Sequence, residues 1–210
     1  ITGNLQFKKR IVAHAREKFA HLAKGQNPKT IVITCADSRV NPDLFLQTQP
    51  GELFVIRNAG NLVGNSDHHG SGELASIEFA LNSFDIENII ICGHTDCGAV
   101  KGLISTAPVD LPHCRTWLKN GKKTTAEIGA KSHLDSAIKV NVLGQIQNLL
   151  THVFVKDRWN AKQFSVHAWL YEIDSGEIWT FDQQKNEFYP IEDVGSQPIT
   201  KLPSEQEVER

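Results

Sequence analysis

Two short stretches hold the side chains with the most chemistry, Cys35-Ala36-Asp37-Ser38-Arg39 and Gly93-His94-Thr95-Asp96-Cys97-Gly98. Two thiols and one imidazole, from Cys35, His94 and Cys97, make a zinc set. Three protein ligands leave the fourth tetrahedral position open, which is how catalytic zinc sites are built. Taken singly, the signals are weak. A His-x-x-Cys step arises by chance, a lone cysteine is more often a packed core thiol, and an Asp and Arg two residues apart are ordinarily a surface ion pair of little worth. Their weight comes from where the two stretches fall in the fold.

Each follows a compact, β-branched apolar run. Ile31-Val32-Ile33-Thr34 precedes Cys35, and Ile89-Ile90-Ile91-Cys92 precedes Gly93. Such runs read as buried strands of a parallel sheet. Ligands of open α/β sheets sit just beyond the carboxyl ends of the strands. Cys35, Asp37, Arg39, His94 and Cys97 are therefore expected together on one rim of one sheet. Cys92 lies within its strand and reads as core packing; Cys114 is likewise read as structural.

The remaining segments supply the elements around that sheet. Phe7, Ile11, Ala15, Phe19 and Leu22 recur at about helical spacing in a basic stretch, which predicts one amphipathic helix ending near Gly25 and acting as a packing arm. Gln26-Asn27-Pro28 turns into the first strand. Asn41 and Pro42 predict a helix start. Leu53 to Arg57 is a second buried strand, and Asn58-Ala59-Gly60-Asn61 leaves its carboxyl end. Gly64 to Gly72 is a polar loop holding His68 and His69. Ser71 can cap a helix whose apolar face is Leu74, Ile77 and Leu81. Another helix begins at Cys97-Gly98-Ala99-Val100, with its free amides towards the metal. From about Ser105 to Lys131 the chain reads as polar and irregular, with Trp117-Leu118 as a packed anchor. Ser132 to Leu150 is a strong helix with Ile138, Val142, Ile146 and Leu149 on one face. Ser165 to Ile173 and Ile178 to Asp182 flank Asp174-Ser175-Gly176, a hairpin that sets the last strand antiparallel at the edge. The tail after Pro190 reads as polar and extended.

A chain of 210 residues suits one domain with a sizeable core. The expected organisation is a single domain over 1–210, with a helical arm over 1–25 and an extended tail over 191–210. A net charge of -2 gives no argument for nucleic acid or a membrane surface as partner. No apolar run approaches the ~18 residues that span a bilayer. Four cysteines without close pairing and nine histidines suit a reducing compartment and metal binding rather than disulfides. No signal peptide is visible, so the expected compartment is the cytoplasm; a chain that starts at Ile1 and lacks Met is also compatible with an organelle reached by a cleaved targeting segment.

The charges at the rim define what the site needs. Two thiolates cancel the charge of Zn2+ and the histidine is neutral. Such a centre acidifies its water less than an all-histidine site, for which a pKa of about 7 is typical. An acceptor for the water proton helps, and Asp37, two residues beyond Cys35, is placed for it. Arg39 can hold that carboxylate by a two-pronged hydrogen bond, keeping it ionised, aimed, and off the fourth zinc position.

Cys-x-Asp-x-Arg followed by His-x-x-Cys, with Pro-Gly-Glu-Leu-Phe-Val-Ile-Arg-Asn-Ala-Gly-Asn between, resembles the β-class carbonic anhydrases, in their plant-like branch. The resemblance runs from about Gly25 to Leu103 and continues more weakly through Val140 to Leu150 and the His167-Ala168-Trp169 strand. It implies a four-stranded parallel core with an antiparallel edge strand and flanking helices, one zinc per chain, reversible hydration of carbon dioxide to bicarbonate and a proton, and a homodimer or a multiple of dimers. Residue by residue, Cys35, His94 and Cys97 match the zinc ligands, and Asp37 and Arg39 the catalytic dyad. Gln26 matches a glutamine that reaches the substrate pocket across the dimer interface. Phe54 matches an apolar pocket wall, with Ala59 beside it, and Gly98 matches the glycine after the second cysteine ligand. Gln26 and the Gly98 amide would hold a developing anion. Phe79 stands where tyrosine is common, so a hydroxyl is lost from the pocket region. Val32 and Thr34 replace the Trp and Gly of the bicarbonate-inhibited branch, so no second bicarbonate site of that kind is expected.

Two other readings use the same residues. One is a non-catalytic zinc protein in which Asp37 or a further cysteine completes four ligands. The other is a hydrolase of a related heterocumulene, carbon disulfide or carbonyl sulfide. A proton leaving a buried zinc site calls for a carrier titrating near neutrality, and His68 and His69 are the candidates, set against the plain reading of two solvated loop histidines.

Overall fold

The two β-branched runs become neighbouring parallel strands in the middle of a six-stranded sheet of order β2-β1-β3-β4-β5-β6. In the computed structural model, residues 1–65, 71–105, 110–125 and 133–201 are described. The strands are β1 (Thr30–Cys35), β2 (Leu53–Asn58), β3 (Asn88–His94), β4 (Ser165–Tyr171), β5 (Ile178–Asp182) and β6 (Glu187–Pro190). β2, β1, β3 and β4 are mutually parallel, which is the expected four-stranded core. β5 and β6 then pair antiparallel, so the edge expected at β5 lies one strand further out, at β6.

Alternation along the strands divides the core in two. Ile31, Ile33, Ile89 and Ile91 face the larger cluster, together with Ile77 and Ile146. Val32, Ile90, Cys92 and Trp169 face a smaller one, closed by Phe45 and Tyr171, whose rings stack at 4.5 Å. Helices α1 (Thr2–Phe7) and α2 (Arg16–Leu22) precede β1; α3 (Pro42–Phe45) lies between β1 and β2, and α4 (Gly72–Ser83) between β2 and β3. After β3 come α5 (Gly98–Ile104), α6 (Pro112–Thr125), α7 (Leu134–Leu149) and α8 (Val153–Asn160), and α9 (Ile191–Val194) follows β6. No helix among the described residues is long and apolar enough to cross a membrane.

Several local readings are corrected. The single N-terminal helix is instead α1, a π-helical turn over Lys8–Val12, and α2, with Ala15 at φ -124° and ψ 36° breaking the run. None of its residues is buried within the chain, so no apolar stripe holds it straight. The stretch read as irregular contains α6, a helix of fourteen residues. Among residues 112–121, its inward side is Cys114, Trp117, Leu118, Asn120 and Gly121, too thin an apolar stripe to stand out from the polar residues around it. Gly121 is needed there, since a Cβ would lie 2.7 Å from Leu103 Cδ1. Ser71 is the N-cap of α4 by position, but its side chain makes no capping bond. The tail is anchored rather than simply extended: α9 forms, Ile199 is buried, and its N–H donates to the Val166 carbonyl at 2.7 Å.

The order β2-β1-β3 matters most for function. The chain leaves β1 to one side and crosses back to the other for β3, so a switch point opens between the carboxyl ends of β1 and β3. Cys35 is the last residue of β1 and His94 the last of β3.

Candidate metal centre

Strand phase alone would separate the two ligands, since Cys35 keeps step with Ile31 and Ile33 while His94 keeps step with Ile90 and Cys92. They meet because both stand where the sheet ends. Asp96 then takes a left-handed backbone, φ 60°, which an aspartate tolerates. This turns the chain so that Cys97, the N-cap of α5, closes the set. The ligand atoms of Cys35, His94 and Cys97 all lie within 4.8 Å of one another, and all three residues are buried.

The donors fit zinc. The two sulfurs are 3.9 Å apart, against the ~3.8 Å that two Zn–S bonds of about 2.3 Å subtend at a tetrahedral angle. His94 Nδ1 lies 2.8 Å from the Thr95 carbonyl oxygen. That contact requires the proton on Nδ1 and leaves Nε2 with a bare lone pair. Nε2 is buried and has no hydrogen-bond partner, an orphan that costs free energy unless a metal takes it. Without a metal, one thiol of the pair loses its proton readily. Cys35 is held well below the usual thiol range, chiefly by hydrogen bonding to Cys97, helped by the Gly60 amide and opposed by burial. The Cys35 thiolate and burial then push Cys97 up. A dication resolves that conflict by neutralising both sulfurs. Cys92 has no such neighbour; burial pushes it up to about 12, and it stays an inert core thiol.

Asp37 and Arg39 form the expected clasp. Arg39 donates from Nε to Asp37 Oδ1 at 3.0 Å and from Nη2 to Oδ2 at 2.8 Å, and its backbone N–H also reaches Oδ1 at 3.0 Å. These bonds hold the Asp37 carboxyl well below the usual carboxylate range. Asp37 Oδ2 is 3.9 Å from His94 Nε2, at the edge of the ligand set. Both its oxygens are engaged by Arg39, and among the described residues no fourth cysteine, histidine or carboxylate joins the three.

Several supporting groups carried no assigned role in the sequence reading. Asp96 accepts from Arg39 Nη1 at 3.1 Å and from Lys101 Nζ, so an alternating row Lys101–Asp96–Arg39–Asp37 braces the clasp. Arg57 donates to the Cys35 and Asp37 carbonyls at 3.1 and 2.8 Å, fixing the turn between ligand and dyad. Position Asp96 inside the ligand motif was a signal that could have found the first; Arg57 has none, because its partners are backbone atoms of another strand.

The other expected residues are more scattered. Ala59 and Phe54 line one cavity of about 590 Å³ that also includes Asn58, Glu73 and Trp117. Phe79 is 55% exposed, on the outer side of α4 against Phe54 and Phe84. Gly98 opens α5, next to the Ala99 and Val100 amides that bond the Cys97 sulfur. Gln26 precedes the amino end of β1, and five steps of about 3.3 Å carry that strand to Cys35, so within one chain Gln26 is remote from the metal ligands. His68 and His69 lie outside the described residues.

A family model described as carbonic anhydrase matches residues 30–178. The chain belongs to the carbonic anhydrase family. It is 36% identical to a carbonic anhydrase of Synechococcus elongatus, over 99% of this chain and 78% of that protein. It is also 36% identical to one of Pseudomonas aeruginosa, over 94% and 96%. Among solved structures, the β-carbonic anhydrase CcaA superposes with a TM-score of 0.86 at 34% identity, covering 90% of this chain and 96% of that one. A Coccomyxa β-carbonic anhydrase in complex with acetazolamide gives 0.78 at 28%, covering 96% and 91%. The chain is thus a β-class carbonic anhydrase, and its Cys35, His94 and Cys97 group fits the zinc on which that class depends.

Proposed function

We propose that this carbonic anhydrase hydrates carbon dioxide reversibly at one zinc per chain held by Cys35, His94 and Cys97, with Asp37 and Arg39 as its working dyad. The observation that carries the reading is the ligand set with an orphaned, buried His94 Nε2 beside an Arg-clasped carboxylate. Zinc, when bound, supplies a Lewis acid that generates a nucleophile from water near neutral pH. Asp37 accepts a hydrogen bond from that water and orients it, while Arg39 keeps the carboxylate ionised and away from the metal. Phe54 and Ala59 form a dry wall suited to an apolar, linear substrate. The Gly98 amide and Gln26 steady the anionic product. His68 and His69, which follow β2 in the sequence, would carry the proton to buffer.

We further read the active unit as a homodimer or a multiple of dimers, of the plant-like branch, with Gln26 delivered by the partner subunit. Support comes from the remoteness of Gln26 in one chain and from the exposed Leu5, Phe7, Ile11 and Phe79. β-Carbonic anhydrases of Sordaria macrospora, 26% identical with a TM-score of 0.77 over 85% of this chain and 93% of theirs, are tetrameric. We read the chain as one domain with an N-terminal arm. Its four unpaired cysteines suit the cytoplasm.

Stopped-flow hydration of carbon dioxide, before and after chelation and after zinc is returned, tests the function. Turnover that disappears and comes back supports it. Hydration indifferent to chelation, or hydrolysis of carbon disulfide or carbonyl sulfide in its place, overturns it.

A further inference from the structure

α7 is a strong helix, yet it buries polar residues among its aliphatic ones. Asn141 and Gln145 are inaccessible and Asn148 nearly so. Buried amides are costly unless bonded, and all three reach the chain leaving β2, Asn148 also donating to the Asn120 carbonyl of α6. Asn141 Nδ2 donates to the Gly60 carbonyl at 3.0 Å, Gln145 Oε1 accepts from the Val63 amide at 2.8 Å, and Asn148 Nδ2 donates to the Val63 carbonyl at 3.0 Å. Gln145 Nε2 donates to Asn141 Oδ1 at 3.0 Å, which fixes the orientation of the Asn141 amide.

That segment touches the metal ligands at one point. The Gly60 N–H donates to Cys35 Sγ at 3.4 Å. The peptide carrying this N–H is the one whose carbonyl belongs to Ala59, and that carbonyl accepts from Trp117 Nε1 at 2.9 Å. The next peptide is held by Asn141. Gly60 itself has φ +87°, and a Cβ there would lie 2.9 Å from Ala99 Cβ, so the backbone is pressed close to α5 at a conformation few other residues adopt. Donation to a peptide carbonyl also polarises the N–H of the same peptide and strengthens it as a donor.

We propose that Trp117 and Asn141 are positioning residues for the zinc centre: they grip the two peptides on either side of Gly60 and so aim one amide at the Cys35 sulfur. This amide, together with that of Asp37, draws electron density from the Cys35 thiolate. A zinc held there would keep more of its Lewis acidity than two unsupported thiolates would leave it. The inference rests on the zinc reading above.

The test exchanges zinc for Co2+ and records the thiolate-to-cobalt charge-transfer band, together with the rate at which the zinc form gives up its metal to a chelator. Trp117→Phe keeps the ring but loses the indole N–H; Asn141→Leu removes the second grip. Both are expected to move the band to longer wavelength and to speed zinc loss by about tenfold, as loss of outer ligand partners does. Asn148→Leu, further along α7, should lower the melting temperature and leave the band in place. A Trp117→Phe protein with the wild-type band and release rate overturns the inference, and it does so even if Asn141→Leu fails to fold. So does an Asn148→Leu band shifted as far as that of Trp117→Phe. A wild-type protein with no thiolate–cobalt band would instead overturn the zinc reading itself.

Discussion

At the scale of single residues, the centre works by leaving one lone pair and one coordination position to the metal. Cys35→Ser, His94→Ala or Cys97→Ser is each expected to drop the zinc content from one per chain towards none, measured by elemental analysis after gel filtration. Full occupancy in any of the three would remove that residue from the ligand set. Asp37→Asn keeps the size but loses the charge and, because an amide has one acceptor oxygen, one of the two prongs by which Arg39 holds it. It should retain zinc and lose about 10²-fold in turnover, the ordinary scale for a positioned proton acceptor. The pH dependence has a defined sign. Arg39 holds Asp37 below its unfolded value, so the stabilisation from the clasp is complete above about pH 4 and is lost only as pH falls further. Between pH 5 and 9, Asp37 stays ionised. The kcat/KM profile of Asp37→Asn should therefore be lower than that of the natural protein but of the same shape across that range. A profile that loses an acid limb in the variant would show that Asp37 titrates there.

Elements set how finely the ligands can meet. β3 can end beside α7 only because residue 93 is glycine, since a Cβ there would lie 2.6 Å from Val142 Cγ2 and 3.4 Å from Ile138 Cγ2. Gly93→Ala must push the strand or the helix aside next to His94. The expected cost is about 1–3 kcal/mol, typical of overpacking, visible as a lower melting temperature together with weaker zinc retention. A variant as stable as the natural protein and fully loaded would mean that α7 yields freely at this point. The same packing explains why α7 resists a simple amphipathic reading. It is buried on most of its surface, and the positions that look polar in sequence are those that hold the loop after β2.

For the whole molecule, the active unit proposed above takes residues from two chains. The apolar group Phe54, Phe79 and Phe84 reaches the surface on α4, and a charge placed in such a patch opposes association. Phe79→Arg is expected to give a smaller species by sedimentation or light scattering and to lose activity with it. Gln26→Ala should lose activity while keeping zinc. Mixed with Cys35→Ser subunits, it should regain activity, because a mixed dimer combines an intact zinc set from one chain with Gln26 from the other. Absence of recovery on mixing would assign Gln26 to its own chain or to no catalytic role.

The Cys35, His94 and Cys97 group, the Asp37–Arg39 pair and the parallel core were legible in the residue types and their spacing. β-branched runs mark buried strands locally, and residues at the carboxyl ends of two parallel strands of one sheet lie on one rim. The family likeness rested on the same short motifs. What surrounds them comes from contacts between elements distant in sequence. α6 was illegible because its apolar inward stripe is thin and interrupted by polar residues, and the outer strand β6 because a four-residue edge strand carries almost no pattern. Arg57, Trp117 and Asn141 were illegible as supports because they bond backbone groups distant in sequence, and a carbonyl oxygen leaves no trace in the residue type that bears it. The clasp of Asp37 by Arg39 could be read from a two-residue spacing. Its bracing by Asp96 and Lys101 depends on how the turn at φ 60° brings the second motif back over the first, and only the folded chain sets that turn.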